Sequence, residues 1–272
     1  SDEEIQLNRS ADFLLLSDPG AFFRETLTNK KIYQNNFESD WLDKNLKLRS
    51  DWVKKTISDL NTKTSTPSWQ EGVIHPLQLS VDIIETMEDE DHLVFDGGNT
   101  HFWSEIATNL VAQNGKNLSS IMHPASFSLL GVGVSLAVSL KRINPNDTVV
   151  LISGDGAFLS GGLSIEVAFQ EKLPIIVVID NNGGLDCISQ QQERMFKSGS
   201  HFATDFRDIP FHEMFIGLGG YGELVTDKSQ IKLALKRAIS SGKTACINVK
   251  TRGQISPIVA ATSDKRDKSS IE

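Results

Sequence analysis

Thr148-Val149-Val150-Leu151-Ile152-Ser153-Gly154-Asp155-Gly156 and, 24 residues further on, Asn181-Asn182-Gly183-Gly184 decide how this chain is read. An apolar run leads into each end, at 148–152 and 174–180, with helix-like sequence between. Short, continuous apolar runs of this kind are strands buried on both faces, as in a parallel sheet. Two parallel neighbours would deliver Asp155 and Asn182 to one carboxyl edge, where open α/β sheets bind ligands. The residue types there suit a hard cation. Magnesium takes six oxygens and usually keeps phosphates and water among them. The Asp155 carboxylate, the Asn182 carboxamide oxygen and the Gly184 carbonyl would fill half of that shell. Two diphosphate oxygens and a water would complete it. Gly154 and Gly156 would let the backbone approach the diphosphate, with Leu185 next to Gly184 on the other side. A helix opening near Ala157 would point its free N–H groups at the anion.

Outward from this stretch the pattern alternates. Helices are expected at 76–88, 100–113, 130–142 and 228–241, and strands at 93–96, 223–226 and 245–249. Strand–helix alternation implies an α/β fold, a doubly wound and mostly parallel sheet flanked by helices. Upstream, Phe13-Leu14-Leu15-Leu16 reads as a short strand, 21–27 as a helix and 38–60 as a longer one. Leu42, Leu46, Val53, Ile57 and Leu60 give that helix an apolar stripe. The polar stretch 61–72, with Pro67 inside it, reads as a linker. The organisation expected is therefore 1–60, a linker at 61–72, and one large domain at 73–272. The tail 251–272 has no clear period and reads as loop or short helix.

The bulk numbers narrow the class. The chain has 272 residues, 39% hydrophobic and 23% charged, which describes a globular protein with an adequate core. A net charge of -8 argues against nucleic acid as a partner. Cys187 and Cys246 are too few for a disulfide framework or a zinc site, and a reducing cytoplasm is expected. No apolar stretch approaches a membrane span and residues 1–20 lack the order of a signal peptide. The sequons at Asn8, Asn117 and Asn146 are accordingly expected to carry no sugar.

The GDG at 154–156 and the NN at 181–182 resemble the signature of thiamine diphosphate-dependent enzymes, and the surrounding chain resembles their acetolactate synthase-like branch. The resemblance implies that Asp155 and Asn182 ligate magnesium or calcium through side chains and Gly184 through its carbonyl. It extends to Asp96-Gly97-Gly98-Asn99-Thr100-His101-Phe102-Trp103, which stands where the family has a loop touching the diphosphate, so Gly98, Asn99 and Thr100 are expected there. The segment 123–133 is similar to the one that embraces the aminopyrimidine. Leu130 takes the place of the bulky residue that bends the cofactor, and the Ser128 carbonyl that of the acceptor for its amino group. His101 and His123 fall in these segments and are candidates for proton transfer. Residues 5–27 resemble the closing strand and helix of the family's central domain, so 1–60 would be a remnant of it with a linking helix.

By the same resemblance, the activating glutamate comes from a pyrimidine-binding domain, on another subunit or in a missing N-terminal part. The chain would be a fragment or one half of a split enzyme, the fragment being the reading its abrupt start favours, and would work as a homo-oligomer, a dimer or tetramer. Its substrates would be 2-oxo acids, through decarboxylation and carboligation, or acyl-CoA compounds. A catalytically incomplete cofactor-binding subunit is the reading from a different class. There are departures from the family. Ser164 stands where a glutamate is frequent, with Glu166 two residues on, and 183–196 lacks the aromatic pair of a typical acetolactate synthase. The runs 96–100 and 219–222 lean equally towards hydroxyacyl-CoA lyase and oxalyl-CoA decarboxylase. Two decoys fail. Gly131-Val132-Gly133 has Leu136 where a dinucleotide fingerprint needs glycine, and Ser241-Gly242-Lys243-Thr244 has Arg237 where a P-loop needs one.

Overall fold

A computed structural model describes residues 15–29, 39–63, 74–124, 128–196, 199 and 201–259. The chain divides into two compact units, Ser1–Ser65 and Thr66–Glu272. In the first, α1 (Pro19–Thr28) starts where Asp18 accepts a hydrogen bond from the Ala21 N–H at 2.8 Å and Pro19 occupies the first turn. Proline there gives up an N–H that would have no helical partner anyway. The second helix, α2 (Ser39–Lys63), is three residues longer than expected at its end, so the linker's first residues are helical. Of its expected stripe, Val53 is buried while Leu42 and Leu46 are exposed; the side chains of Ile57 and Leu60 lie outside the described residues, as do linker residues 64–72. The strand expected at 13–16 is corrected in part. Leu15 and Leu16 are exposed and not extended into a sheet, because no strand among the described residues pairs with them. Phe13 and Leu14 lie outside the described residues.

The second unit is a six-stranded sheet, parallel throughout. Its strands are β1 (His92–Asp96), β2 (Ser120–Met122), β3 (Val149–Gly154), β4 (Ile175–Asn181), β5 (Tyr221–Val225) and β6 (Ala245–Lys250), in the order β2-β1-β3-β4-β6-β5. β1, β3 and β4 are buried along their whole length, as continuous apolar runs require. Alternate residues face opposite layers. Leu151, Val177 and Cys246 share one core with Val134 and Ala137 of α5 (Gly133–Ile143) and with Phe211 and Phe215 of α9 (Phe211–Gly217). On the other face lie α3 (Pro76–Thr86), α4 (Asn99–Ala112) and α10 (Ile231–Ser240), with α3 packed between the other two. Between β3 and β4 come α6 (Asp155–Gly161), a 3-10 turn and α7 (Glu166–Gln170).

From β1 the chain runs to β2 on one side and later to β3 on the other, so the strand order reverses between β1 and β3. A crevice opens at such a switch point. Gly97, just past β1, has φ +126, and a Cβ on it would lie 3.1 Å from the Gly154 nitrogen. The helix expected from 130 starts three residues later, at Gly133. Gly131 has φ +91, which no helix contains. Three elements were not expected. The edge strand β2 is too short to show a pattern, α8 (Asp186–Met195) is too polar, and α9 has only two turns.

Candidate active site

One cavity opens at this switch point, lined by Gly97, Gly98, Asn99, Thr100, Leu130, Gly154, Asp155, Gly156, Ala157, Asn182, Gly184 and the first turn of α8 with the residue before it, 185–188. It therefore brings together every expected cofactor or metal residue except Ser128, whose backbone sits at φ +46 two residues from Leu130. β3 and β4 are hydrogen-bonded neighbours with Gly154 opposite Asp180, so the two halves of the motif emerge side by side.

Asp155 is 2% exposed, and its carboxylate ties the halves together. Oδ1 accepts from the Gly156 N–H at 2.7 Å; Oδ2 accepts from Gly183 at 2.8 Å and Gly184 at 3.1 Å. The Asn182 carboxamide oxygen accepts from Gly184 N–H at 3.2 Å, a long and weak bond. The loop after β4 is held from outside as well. The Leu185 N–H donates to the Thr204 carbonyl at 2.8 Å and the Phe206 N–H to the Gly183 carbonyl at 2.7 Å, around a bridge between Gly184 and Asp205. A Cβ on Gly156 would sit 2.5 Å from Leu185 Cδ2, so only glycine leaves that wall its present shape.

Two of the expected residues have their side chains committed elsewhere. The Thr100 hydroxyl donates to Asp180 at 2.8 Å. The Asn99 amide donates to Asp186 at 3.1 Å and to Gln190 at 3.3 Å, and its oxygen accepts from the Ser256 N–H. Both line the cavity at the start of α4, which has no side-chain cap. His101 and His123 do not line it. His123 stacks on Phe95 with centroids 5.3 Å apart and planes 6° from parallel, and His101 meets both rings edge-on. Burial, followed by the neighbouring His123, holds His101 below the ordinary histidine range.

The residues that sequence reasoning passed over are mostly acids. Asp180, fully buried at the end of β4, accepts from Thr100 and from the Thr251 hydroxyl. Burial raises its pKa. Burial also pushes Asp155 up to about 6, with Asp180 adding to the rise, and pushes Asp186 up to about 6. The signal was present: Asp96 and Asp180 each end an apolar strand run, where an acid must be buried and must have a reason. The tail, expected to be loop or short helix, is irregular at 252–256 and helical at 257–259. Trp103 Nε1 donates to the Gln254 carbonyl at 2.9 Å, and the Arg252 N–H to the Ile74 carbonyl at 3.1 Å. Residues 260–272 lie outside the described set.

The donor set fits a hard divalent cation with a diphosphate. Oxygen is the chemistry on offer, from a carboxylate, a carboxamide and a carbonyl. Among the described residues no three His, Cys, Asp or Glu side chains form a metal cluster, so a cation would need ligand oxygens from its anion to complete a shell. Burial and the neighbouring Asp180 both disfavour the ionised form of Asp155, a cost that a bound cation would offset. Among the described residues no helix is long and apolar enough to cross a membrane.

Known proteins resemble the chain as follows. The model of the thiamine pyrophosphate enzyme C-terminal TPP binding domain matches residues 96–249. The chain is 27% identical over 184 residues to a probable acetolactate synthase of Mycobacterium bovis, covering 65% of this chain and 31% of that protein. It is 25% identical over 263 residues to 2-hydroxyacyl-CoA lyase 2 of Mus musculus, covering 90% of this chain and 39% of that one. The fold superposes on a thiamine diphosphate-dependent 4-hydroxybenzoylformate decarboxylase of Rhodococcus jostii with a TM-score of 0.58 and 25% identity, over 69% of this chain and 34% of that chain. The chain thus spans about a third of the length of the relatives it matches. The matched region starts at Asp96 and contains both halves of the motif and the whole cavity between them, and the chain belongs to the thiamine diphosphate-dependent enzymes, on their acetolactate synthase-like branch.

Proposed function

We propose that this chain holds the diphosphate end of thiamine diphosphate, through magnesium or calcium, in an enzyme that makes or breaks carbon–carbon bonds next to a carbonyl. The observation that carries this is the Asp155 carboxylate. It bridges the turn after β3 and the loop after β4 at the mouth of the switch-point crevice, beside the Asn182 oxygen. Asp155, Asn182 and the Gly184 carbonyl would hold the cation. The backbone at 98–100 and 154–157 would receive the phosphates, and Leu130 would support the rings. Bound thiamine diphosphate supplies a carbanion-forming carbon, and the protein supplies orientation and electrostatics. Residues 1–60 would be the end of a central domain, 61–72 a linker and 73–272 the diphosphate-binding domain. A pyrimidine-binding domain from another subunit or another part of the polypeptide would complete the site in a dimer or tetramer.

Two substrate classes fit. Pyruvate-like 2-oxo acids follow from the likeness to acetolactate synthases, and 2-hydroxyacyl-CoA compounds from the likeness to the lyase, which extends over more of this chain. An adenine-nucleotide pocket for the latter would draw on Arg252 and on Lys265, Arg266 and Lys268, the last three outside the described residues. Calorimetry with thiamine diphosphate and magnesium tests the common core. Asp155→Ala is expected to abolish magnesium-dependent binding, and unchanged affinity would refute the assignment. Assays on pyruvate and on a 2-hydroxyacyl-CoA then separate the substrate classes. Turnover by the isolated chain would rule out an incomplete site.

A further inference from the structure

The turn that carries Leu130 is held from behind by a carboxylate on a different strand. Asp96 closes β1 and is 1% exposed. Its Oδ2 accepts from the Gly131 N–H at 2.9 Å and from the Gly133 N–H at 2.7 Å. Its Oδ1 is buried and makes no well-formed hydrogen bond among the described residues, although the Gly97 N–H lies near enough to the carboxylate to lower its pKa against the rise that burial causes. Two amides on one carboxylate oxygen bracket Val132 and fix the peptide units that follow Leu130. The turn needs such support. Ser128 at φ +46 lies in a region that a non-glycine residue adopts only at a cost, and Gly131 at φ +91 in one that only glycine enters readily. The fit behind it is close, since a Cβ on Gly133 would lie 2.7 Å from Asp96 Cβ and 2.8 Å from Leu151 Cδ1.

Leu130 lines the cavity, whereas Asp96 does not. The Asp96 side chain therefore acts on a ligand through the backbone it holds, at the Leu130 turn and at its own chain neighbour Gly97, which also lines the cavity. The phosphate-side walls, at Gly98–Thr100 and Gly154–Ala157, have their own supports, among them the Thr100–Asp180 hydrogen bond. Loss of Asp96 should leave those supports in place.

We propose that Asp96 is a positioning residue, which by binding the Gly131 and Gly133 amides sets Leu130 against the thiamine portion of the cofactor rather than the diphosphate portion. The inference rests on the cofactor-holding function proposed above. Its signature is a difference between two ligands. Anything that merely loosened the domain would weaken both alike, while a displaced Leu130 weakens only the ligand that carries rings.

The test uses the purified full-length protein with saturating magnesium, with inorganic diphosphate and thiamine diphosphate as probes. Hydrogen exchange is followed at the Gly131 and Gly133 amides. Asp96→Ala is expected to leave the Kd for inorganic diphosphate within about twofold and to raise that for thiamine diphosphate about tenfold, with about tenfold faster exchange at both amides. Asp96→Asn is expected to restore both readings to within about threefold. Its amide oxygen can take the place of Oδ2, and its NH2 group that of Oδ1. Should Asp96→Ala not fold, Asp96→Glu, which moves the acceptor out by one methylene, replaces it in the same comparison. Equal weakening of both ligands, unchanged thiamine diphosphate affinity, or failure of asparagine to restore it would overturn the proposal. A wild-type protein that binds neither probe would instead refute the function proposed above. In that case the exchange rates still decide whether Asp96 holds the turn.

Discussion

Replacing Asp155 by asparagine in cation-free protein isolates what the buried carboxylate costs. Burial, before any other cause, pushes its pKa from the ordinary 3.8 up to about 6 in the fold. A carboxyl group whose pKa is raised by folding binds its proton more tightly in the folded than in the unfolded state. Its contribution to stability is therefore largest in acid, is lost as the pH rises from the unfolded pKa to the folded one, and stays lost above. A difference of about two units corresponds to roughly 3 kcal/mol over the whole window, of which about 2 kcal/mol falls between pH 4.5 and pH 8. Asparagine cannot ionise, so this contribution is absent from the variant. Its oxygen can still accept from Gly183 and Gly184, but its amino group meets the Gly156 N–H, a loss of about 1–3 kcal/mol that does not depend on pH. The asparagine variant should accordingly be the less stable protein at pH 4.5, and the gap should close by about 2 kcal/mol by pH 8. Denaturant unfolding of both proteins in chelator, at several pH values, gives the gap directly. Other titrating groups, Asp186 included, are present in both proteins and cancel, apart from Asp180, whose interaction with Asp155 is part of the rise being measured. A gap that is constant with pH would refute the claim that burial, rather than the three amide bonds, dominates the electrostatics of Asp155.

Other substitutions test other supports. Leu130→Ala, like Asp96→Ala, should weaken thiamine diphosphate about tenfold, leave inorganic diphosphate within about twofold, and slow exchange of the cofactor's C2 proton in the assembled enzyme; an unaltered exchange rate would refute its role in bending the cofactor. Thr100→Val removes one of the two hydroxyl donors to Asp180 and should cost about 1–3 kcal/mol by thermal or denaturant unfolding, with no loss at all showing that the bond is idle. Gly161→Ala places a Cβ against the Gly131 carbonyl, a backbone contact that side-chain rotation cannot relieve, and should destabilise by about 1–3 kcal/mol or more. Wild-type stability in that variant would mean that the approach of α6 to the Leu130 turn is not close in solution.

The parts of the fold that were legible from sequence are those whose physics is local. β1, β3, β4 and β6 are continuous apolar runs because both faces are covered, and a single sequence shows that directly. The Asp155 and Asn182 juxtaposition followed from their strands being neighbours, a topological consequence of βαβ connection. What escaped depends on tertiary partners. α8 reads as a loop because Asp186-Cys187-Ile188-Ser189-Gln190-Gln191-Gln192-Glu193 has no apolar stripe; Asp186 and Gln190 are committed to Asn99 instead. The late start of α5 depends on Asp96, 35 residues upstream of Gly131, taking the amides that a helix would have used differently. The commitments of Asn99 and Thr100 are invisible for the same reason: their partners, Asp186 and Asp180, are remote in sequence.

The same acids bear on the order of events at the cavity. Asp155 and Asp186 line it and Asp180 stands behind Thr100, so a polyanion arriving alone meets negative charge in a region of low dielectric. A cation arriving alone finds the Asp155 carboxylate, a carboxamide and a carbonyl, half of what magnesium requires, since Asp186 is bonded to Asn99 and Gln190. Each ligand supplies what the other lacks, the diphosphate its oxygens and the cation its charge. Binding of the two must then be coupled, and thermodynamic reciprocity makes the factor by which magnesium strengthens diphosphate binding equal to the factor by which diphosphate strengthens magnesium binding. The raised pKa of Asp155 points the same way. Part of the free energy of cation binding goes into keeping that carboxyl ionised, so the coupling should grow as the pH rises through about 6. On this argument the buried acids that make the free domain less stable at neutral pH are what make it selective for a metal-bound diphosphate.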